Sequence, residues 1–157
     1  MEYTNIIKTD IVNNKYDVLW DDISGVVKDA ATRPVLIVVN GCEQGSTEDI
    51  QLQKMLDACK LAPGQYNIIR LEKDGQVAWH RLRERLDPKI IFLIGVSPVQ
   101  LGIAAFFKLN EPNNFNDRVW LPTVGINELE QHKDVKTHLW NSGMKPVFID
   151  KKFGVIA

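Results

Sequence analysis

The sequence predicts an α/β protein, a three-layer α/β/α sandwich around a mostly parallel sheet. Two stretches, Val35–Val39 and Lys89–Gly95, are almost wholly apolar and rich in β-branched residues. Unbroken apolar strands suit a parallel sheet covered on both faces. Segments with helical spacing alternate with the strands, which is the order of β-α-β units. The chain has 157 residues, 45% of them hydrophobic and 25% charged. That is enough for one domain, residues 1–157, with a core of its own.

Each element follows in turn. Tyr3, Ile6, Ile7, Ile11 and Val12 carry the spacing of a short amphipathic helix. Asn13-Asn14 ends it, and Tyr16–Trp20 is predicted as a short edge strand. Residues 23–31 fit a loop or a short helix. The strand Val35–Val39 turns through Asn40–Ser46 into a helix over Thr47–Lys60. Thr47, Glu48 and Asp49 supply its cap and acids, and Ile50, Leu52, Met55, Leu56 and Cys59 its apolar face. Ala62-Pro63-Gly64 stops it. Tyr66–Leu71 is a strand and Lys73-Asp74-Gly75 a turn.

Val77–Leu86 is a helix with Trp79, Leu82 and Leu86 on one side. After the Lys89–Gly95 strand, Ser97-Pro98 opens another helix. Val99, Leu101, Gly102 and Ile103 pack inward there, and Phe106-Phe107 follow. Asn110–Asn116 is a polar loop. Arg118–Leu121 is the last strand, ended by Pro122. Thr123–Glu128 is a loop, and the final helix runs from about His132 to Asn141 with Gly143 as its cap. The apolar tail Phe153–Ala157 adds to the sheet edge or meets a partner.

Composition excludes several classes. No run of 18 apolar residues spans a bilayer, and residues 1–20 lack the pattern of a secretory signal. Cys42 and Cys59 are the only cysteines. Without local histidines they make neither a zinc site nor an iron–sulfur cluster, so they are expected as reduced thiols in the cytoplasm. The formal net charge of -1 argues against strong non-specific nucleic-acid binding. The charge is unevenly spread: nine acids and four bases in residues 1–50, nine bases and five acids in 51–110. Arg81 and Arg85 are placed on one exposed strip of the second helix, with Arg83 at its edge. The strip is a solvated face or a contact for an acidic partner.

In parallel sheets the ligand crevice lies beyond the carboxyl ends of the strands. Asn40, Gly41, Glu43, Gly95, Ser97 and Gly125 are therefore the candidate crevice residues. A phosphate loop would need a lysine and hydroxyl after its glycines; Asn40–Gly45 has no lysine and carries Glu43. Gly95-Val96-Ser97-Pro98 matches only the start of a hydrolase elbow, so Ser97 is expected as a helix N-cap. His80, His132 and His138 pair with no carboxylate at metal-ligand spacing, so no metal is expected. Glu43, Glu48 and Asp49 form a general base, a magnesium site or simply the acidic start of a helix.

Three ordered segments resemble the uracil-DNA glycosylase superfamily. Lys54-Met55-Leu56-Asp57-Ala58-Cys59-Lys60-Leu61 closes a stretch, from Asp49, similar to the helix after its first motif. Ile91–Leu101 resembles its central strand, glycine and following helix. Pro122–Leu129, then Val135-Lys136 and Leu139-Trp140, resembles its last motif and terminal helix. The resemblance implies that fold.

The departures imply loss of the chemistry. The family's first loop has a Gly-Glu-X-Pro-Gly pattern; here Asn40-Gly41-Cys42-Glu43-Gln44-Gly45 lacks the proline. Gly125 stands where the family carries the histidine that stabilises the leaving base, so that side-chain donor is absent. No wedge or basic groove supports base flipping.

A catalytically silent branch, the psi subunits of bacterial DNA polymerase III, is similar in architecture. That resemblance implies a non-catalytic protein-interaction subunit in DNA replication, without a cofactor. It would dock through residues 1–20, with Tyr3, Ile7, Ile11 and Trp20 as contacts, on a clamp-loader or chi-like partner. Direct nucleic-acid binding would be weak or absent. The alternatives are a divergent glycosylase using Glu43 or Asp49, or a nucleotide- or small-molecule-binding α/β protein.

Overall fold

The computed structural model describes residues 31–72 and 75–152. Tyr3, Ile7, Ile11, Trp20, the expected N-terminal helix and strand, most of the Lys73–Gly75 turn and the apolar tail lie outside these residues. Among the described residues five strands form one sheet: β1 (Val35–Asn40), β2 (Tyr66–Leu71), β3 (Ile90–Ile94), β4 (Asn113–Phe115) and β5 (Arg118–Thr123). Their order is β2-β1-β3-β5-β4, parallel throughout except for the antiparallel β4–β5 pair.

Helices cover both faces, as the two apolar runs demanded. Val35, Ile37, Val39, Phe92 and Leu121 point to one side. There they meet α1 (Thr47–Ala58), α3 (Ile126–Gln131), α4 (Lys133–Leu139) and a π-helix (Trp140–Ile149). Leu36, Val38, Ile91, Leu93 and Trp120 point to the other side, against α2 (Trp79–Leu86). Consecutive residues of β1 and β3 enter opposite cores, so β3 is buried along its whole length and β1 from Val35 to Val39.

Several local expectations are corrected. Ser46, not Thr47, caps α1: its hydroxyl accepts the Asp49 N–H at 3.2 Å. Ile50 is 52% exposed rather than part of the apolar face. Helix α2 begins at Trp79, two residues later than predicted. Of the arginines on it, only Arg85 is exposed. Arg81 and Arg83 are half-buried, and Arg83 Nη1 donates to Asn116 Oδ1 at 3.2 Å, so the three do not form one solvated strip.

The helix expected after Ser97 is a single 3-10 turn, Pro98–Leu101. Gly102 adopts a left-handed conformation (φ 73°) and caps it, and β-branched and aromatic residues follow. Val99 is 66% exposed, not inward.

The polar loop after Asn110 contains β4. Asn116 and Asp117 both have positive φ, the requirement of a tight two-residue hairpin turn, and Phe115 pairs with Arg118. Pro122 does not end β5. It pairs with Leu93 inside the strand, and its carbonyl accepts the Asn110 N–H at 2.7 Å on the side away from β3. The missing N–H faces the side where β4 has already finished, which is where a sheet tolerates proline.

The C-terminal region departs furthest. Helix α3 starts at Ile126, inside the expected loop, and α4 passes into the π-helix. Gly143 is no cap. It is buried within the π-helix, where an added Cβ would lie 2.6 Å from Leu121 Cδ1 and 3.1 Å from the Asn110 carbonyl oxygen. Its bareness lets this helix lie directly on β5. Met144, Val147 and Phe148 then fill the core on that side.

Candidate functional site

The crevice expected from topology lies at the carboxyl ends of β1, β3 and β5. Parallel strands point their carboxyl ends the same way, so the loops that follow them converge. The structure brings Asn40, Gly95 and Gly125 together there. A Cβ built on Gly95 would sit 3.0 Å from Gly125 Cα, 3.3 Å from Gly125 N and 3.7 Å from Asn40 Cβ. Gly95 also has φ +70° and donates its N–H to the Thr123 carbonyl at 3.0 Å. Both the conformation and the space demand glycine.

Gly41 joins the group from β1, with φ +67° and its N–H on the Leu71 carbonyl at 2.6 Å. It thereby ties the end of β1 to the end of β2. Gly125 precedes α3 and has open space around its missing Cβ. Nothing in the packing of that Cβ forbids a side chain.

The other two candidates stand apart. Glu43 is exposed, and it is its main-chain carbonyl that works, accepting the Ser46 N–H at 3.1 Å and hydroxyl at 2.6 Å. Ser97 is exposed and holds the N-cap position of the 3-10 turn, where its N–H donates to Gln100 Oε1 at 3.1 Å.

Asp49 is the acid the structure uses most fully. It is buried in the first turn of α1. Its Oδ1 accepts Arg70 Nη2 at 2.8 Å and its Oδ2 accepts the Gly45 N–H at 2.9 Å. The Gly45 amide, then Arg70, hold its carboxyl below the usual carboxylate range. The ion pair fastens the Cys42–Ser46 loop and the start of α1 to β2. Both oxygens are committed to structure rather than turned to the crevice.

Arg70 is the site-adjacent residue that sequence reasoning missed. Its signal was a lone charge in the otherwise uncharged strand Tyr66–Leu71.

The two thiols are free and buried. Burial, followed by the nearby negative charge of Asp49, pushes the Cys42 thiol up; burial alone pushes Cys59 up to about 12. Both are protonated at neutral pH and neither is an activated nucleophile.

Among the described residues no three His, Cys, Asp or Glu side chains gather to hold a metal. His132 and His138 are exposed on and beside α4, and His80 lies on α2. The crevice itself offers main-chain groups and one side-chain amide. Asn40 Oδ1 is buried with no hydrogen-bond partner among the described residues.

Among the described residues, fold and site define an α/β protein with a mostly parallel five-stranded sheet whose strand-end loops bring Asn40, Gly95 and Gly125 together. Among the described residues no helix is long and apolar enough to cross a membrane. Compared with known protein families and with curated proteins, the chain matches none.

Proposed function

We propose that this chain is a non-catalytic protein-interaction subunit of uracil-DNA glycosylase-like fold. In this reading it is similar to the psi subunit of bacterial DNA polymerase III and acts in the cytoplasm. The observation that carries the reading is the crevice. Where the glycosylase pattern places an acid, this chain has Glu43, exposed in the loop after β1; where it places a histidine, it has Gly125, beside Gly95. Base excision needs a water-activating group and a donor for the departing base. Gly125 has no side chain to supply the second.

The test has two arms. Purified chain incubated with uracil-containing single- and double-stranded DNA should release no uracil. In the second arm, purified clamp-loader and chi-type subunits should be retained by the full chain and lost on deletion of residues 1–20. Release at an enzymatic rate, abolished by Glu43→Gln or Asp49→Asn, overturns the proposal. So does failure to retain either subunit.

One observation favours a second reading, a small-ligand-binding domain. Among the described residues the buried Asn40 amide oxygen lacks a partner at the topological switch point between β1 and β3, where such sheets bind ligands. A nucleobase or nucleotide that bound there would raise the melting temperature of the chain, and Asn40→Ala would remove the rise.

A further inference from the structure

The two edges of the sheet differ. β4 is three residues long, whereas β2 offers six. Among the described residues β2 pairs with β1 alone. Gly41 donates to the Leu71 carbonyl, so the main chain of Leu71, and with it that of Ile69 and Asn67, faces β1. Tyr66, Ile68 and Arg70 therefore turn their N–H and C=O groups to the open side. Among the described residues no hydrogen bond engages the main chain of Ile68 or Arg70. An open edge of this length invites unwanted pairing, and native sheets cover such edges.

The chain that enters β1 arrives from this side. Arg33 Nη1 donates to the Tyr66 carbonyl, which points away from β1, and to Asn67 Oδ1, both at 3.1 Å. Asn67 Nδ2 donates to the Ala31 carbonyl at 2.7 Å. Residues 31–33 thus cross the start of β2, and the thirty residues before Ala31 join the fold at the start of the open edge.

We propose that residues 16–20 complete the sheet as a further strand, antiparallel to β2 on its open edge. Tyr16–Trp20 is the run with strand character in those thirty residues, and its length matches the edge. In an extended segment Tyr16, Val18 and Trp20 share one face. β2 lacks cover on such a face: Tyr66 and Ile68 are only half-buried where they pack against the α1 side of the core.

The connection sets the direction. Ten residues separate Trp20 from Ala31, and parallel neighbours need a crossover of about a dozen or more. An antiparallel strand ends beside Tyr66, near where Ala31 is held, so the ten residues only have to turn back. This inference does not rest on the proposed partner-binding function, since pairing with β2 needs no second protein.

Amide hydrogen exchange of the full chain, alone in solution, tests it. The Ile68 and Arg70 amides should exchange about tenfold or more slowly than in a variant carrying both Val18→Pro and Leu19→Pro. Successive N–H groups of a strand point to opposite sides, so one of the two prolines removes a bond to β2 in either register. The Ile69 amide faces β1 and should stay protected in both chains, which shows that the variant is folded. In the parent, antiparallel pairing also brings α-hydrogens of residues 16–20 against those of β2, seen as nuclear Overhauser contacts. Fast exchange of Ile68 and Arg70 in the parent, or absence of the α-hydrogen contacts, overturns the proposal. So does protection that survives both prolines, or that grows with concentration as pairing with a second copy would.

Discussion

Replacing Gly95 by alanine measures how tightly the loops after β3 and β5 are packed. Two costs add. An alanine held at φ +70° loses about 1–2 kcal/mol to left-handed strain. Its methyl would also lie 3.0 Å from Gly125 Cα, main chain that cannot rotate away. Prising the loops apart to relieve that overlap costs about 1–3 kcal/mol more, as overpacked cores do. The sum is a loss of about 2–5 kcal/mol, a large share of the stability of a domain this size.

Two further variants separate the terms. Gly41→Ala carries the strain (φ +67°) without the contact, so it should lose only about 1–2 kcal/mol. Gly125→Ala carries neither, with φ -63° and open space, and should be neutral or gain up to about 1 kcal/mol. Urea unfolding at neutral pH, with equal slopes across the series, gives the differences. A Gly95→Ala variant within about 0.5 kcal/mol of the parent, or a Gly125→Ala variant as damaged as Gly95→Ala, refutes the packing described.

Two other substitutions bear on the same frame. Asp49→Asn removes the carboxylate that joins Gly45 and Arg70, and should cost about 1.5–3 kcal/mol at pH 7. The folded carboxyl titrates below the ordinary value of 3.8, so its contribution is complete above that value and disappears as pH falls through the lower folded one. The gap between parent and variant, followed by urea midpoints, should therefore narrow as pH falls below 3.8; a gap independent of pH contradicts the charged pairing. Gly143→Ala should lower stability by about 1–3 kcal/mol, because its methyl meets Leu121 and the Asn110 carbonyl. Thermal melting reads the loss, and pairing it with Leu121→Val should restore part of it, since 2.6 Å from a leucine methyl is the tighter contact.

The parallel strands were legible because their signal is local and redundant. Val35–Val39 and Ile90–Ile94 are apolar at every position, and no amphipathic element on a one-sided core needs that. Helices α1 and α2 were legible from their spacing. Residues that read as polar or as breakers misled. Asn113–Phe115 looked like loop, yet the Asn116-Asp117 turn that follows is a hairpin marker that could have exposed β4. Met144, Val147 and Phe148 repeat at helical spacing past Gly143, and that pattern outweighs a glycine which here serves close packing. The approach of Gly95 to Gly125 follows from strand order, since β3 and β5 are parallel neighbours. The fate of Asp49 was not, because its partner Arg70 is twenty-one residues away on a different strand.

The sequence by itself therefore determined the class of fold and the end of the sheet where three loops meet, since both follow from apolar periodicity and from the single direction of parallel strands. Only the tertiary structure decided what those loops do. It set Gly95 against Gly125, turned Asp49 from a candidate base into a clamp, and left Phe106 outside the core, because each outcome depends on which distant groups are brought within a few ångströms.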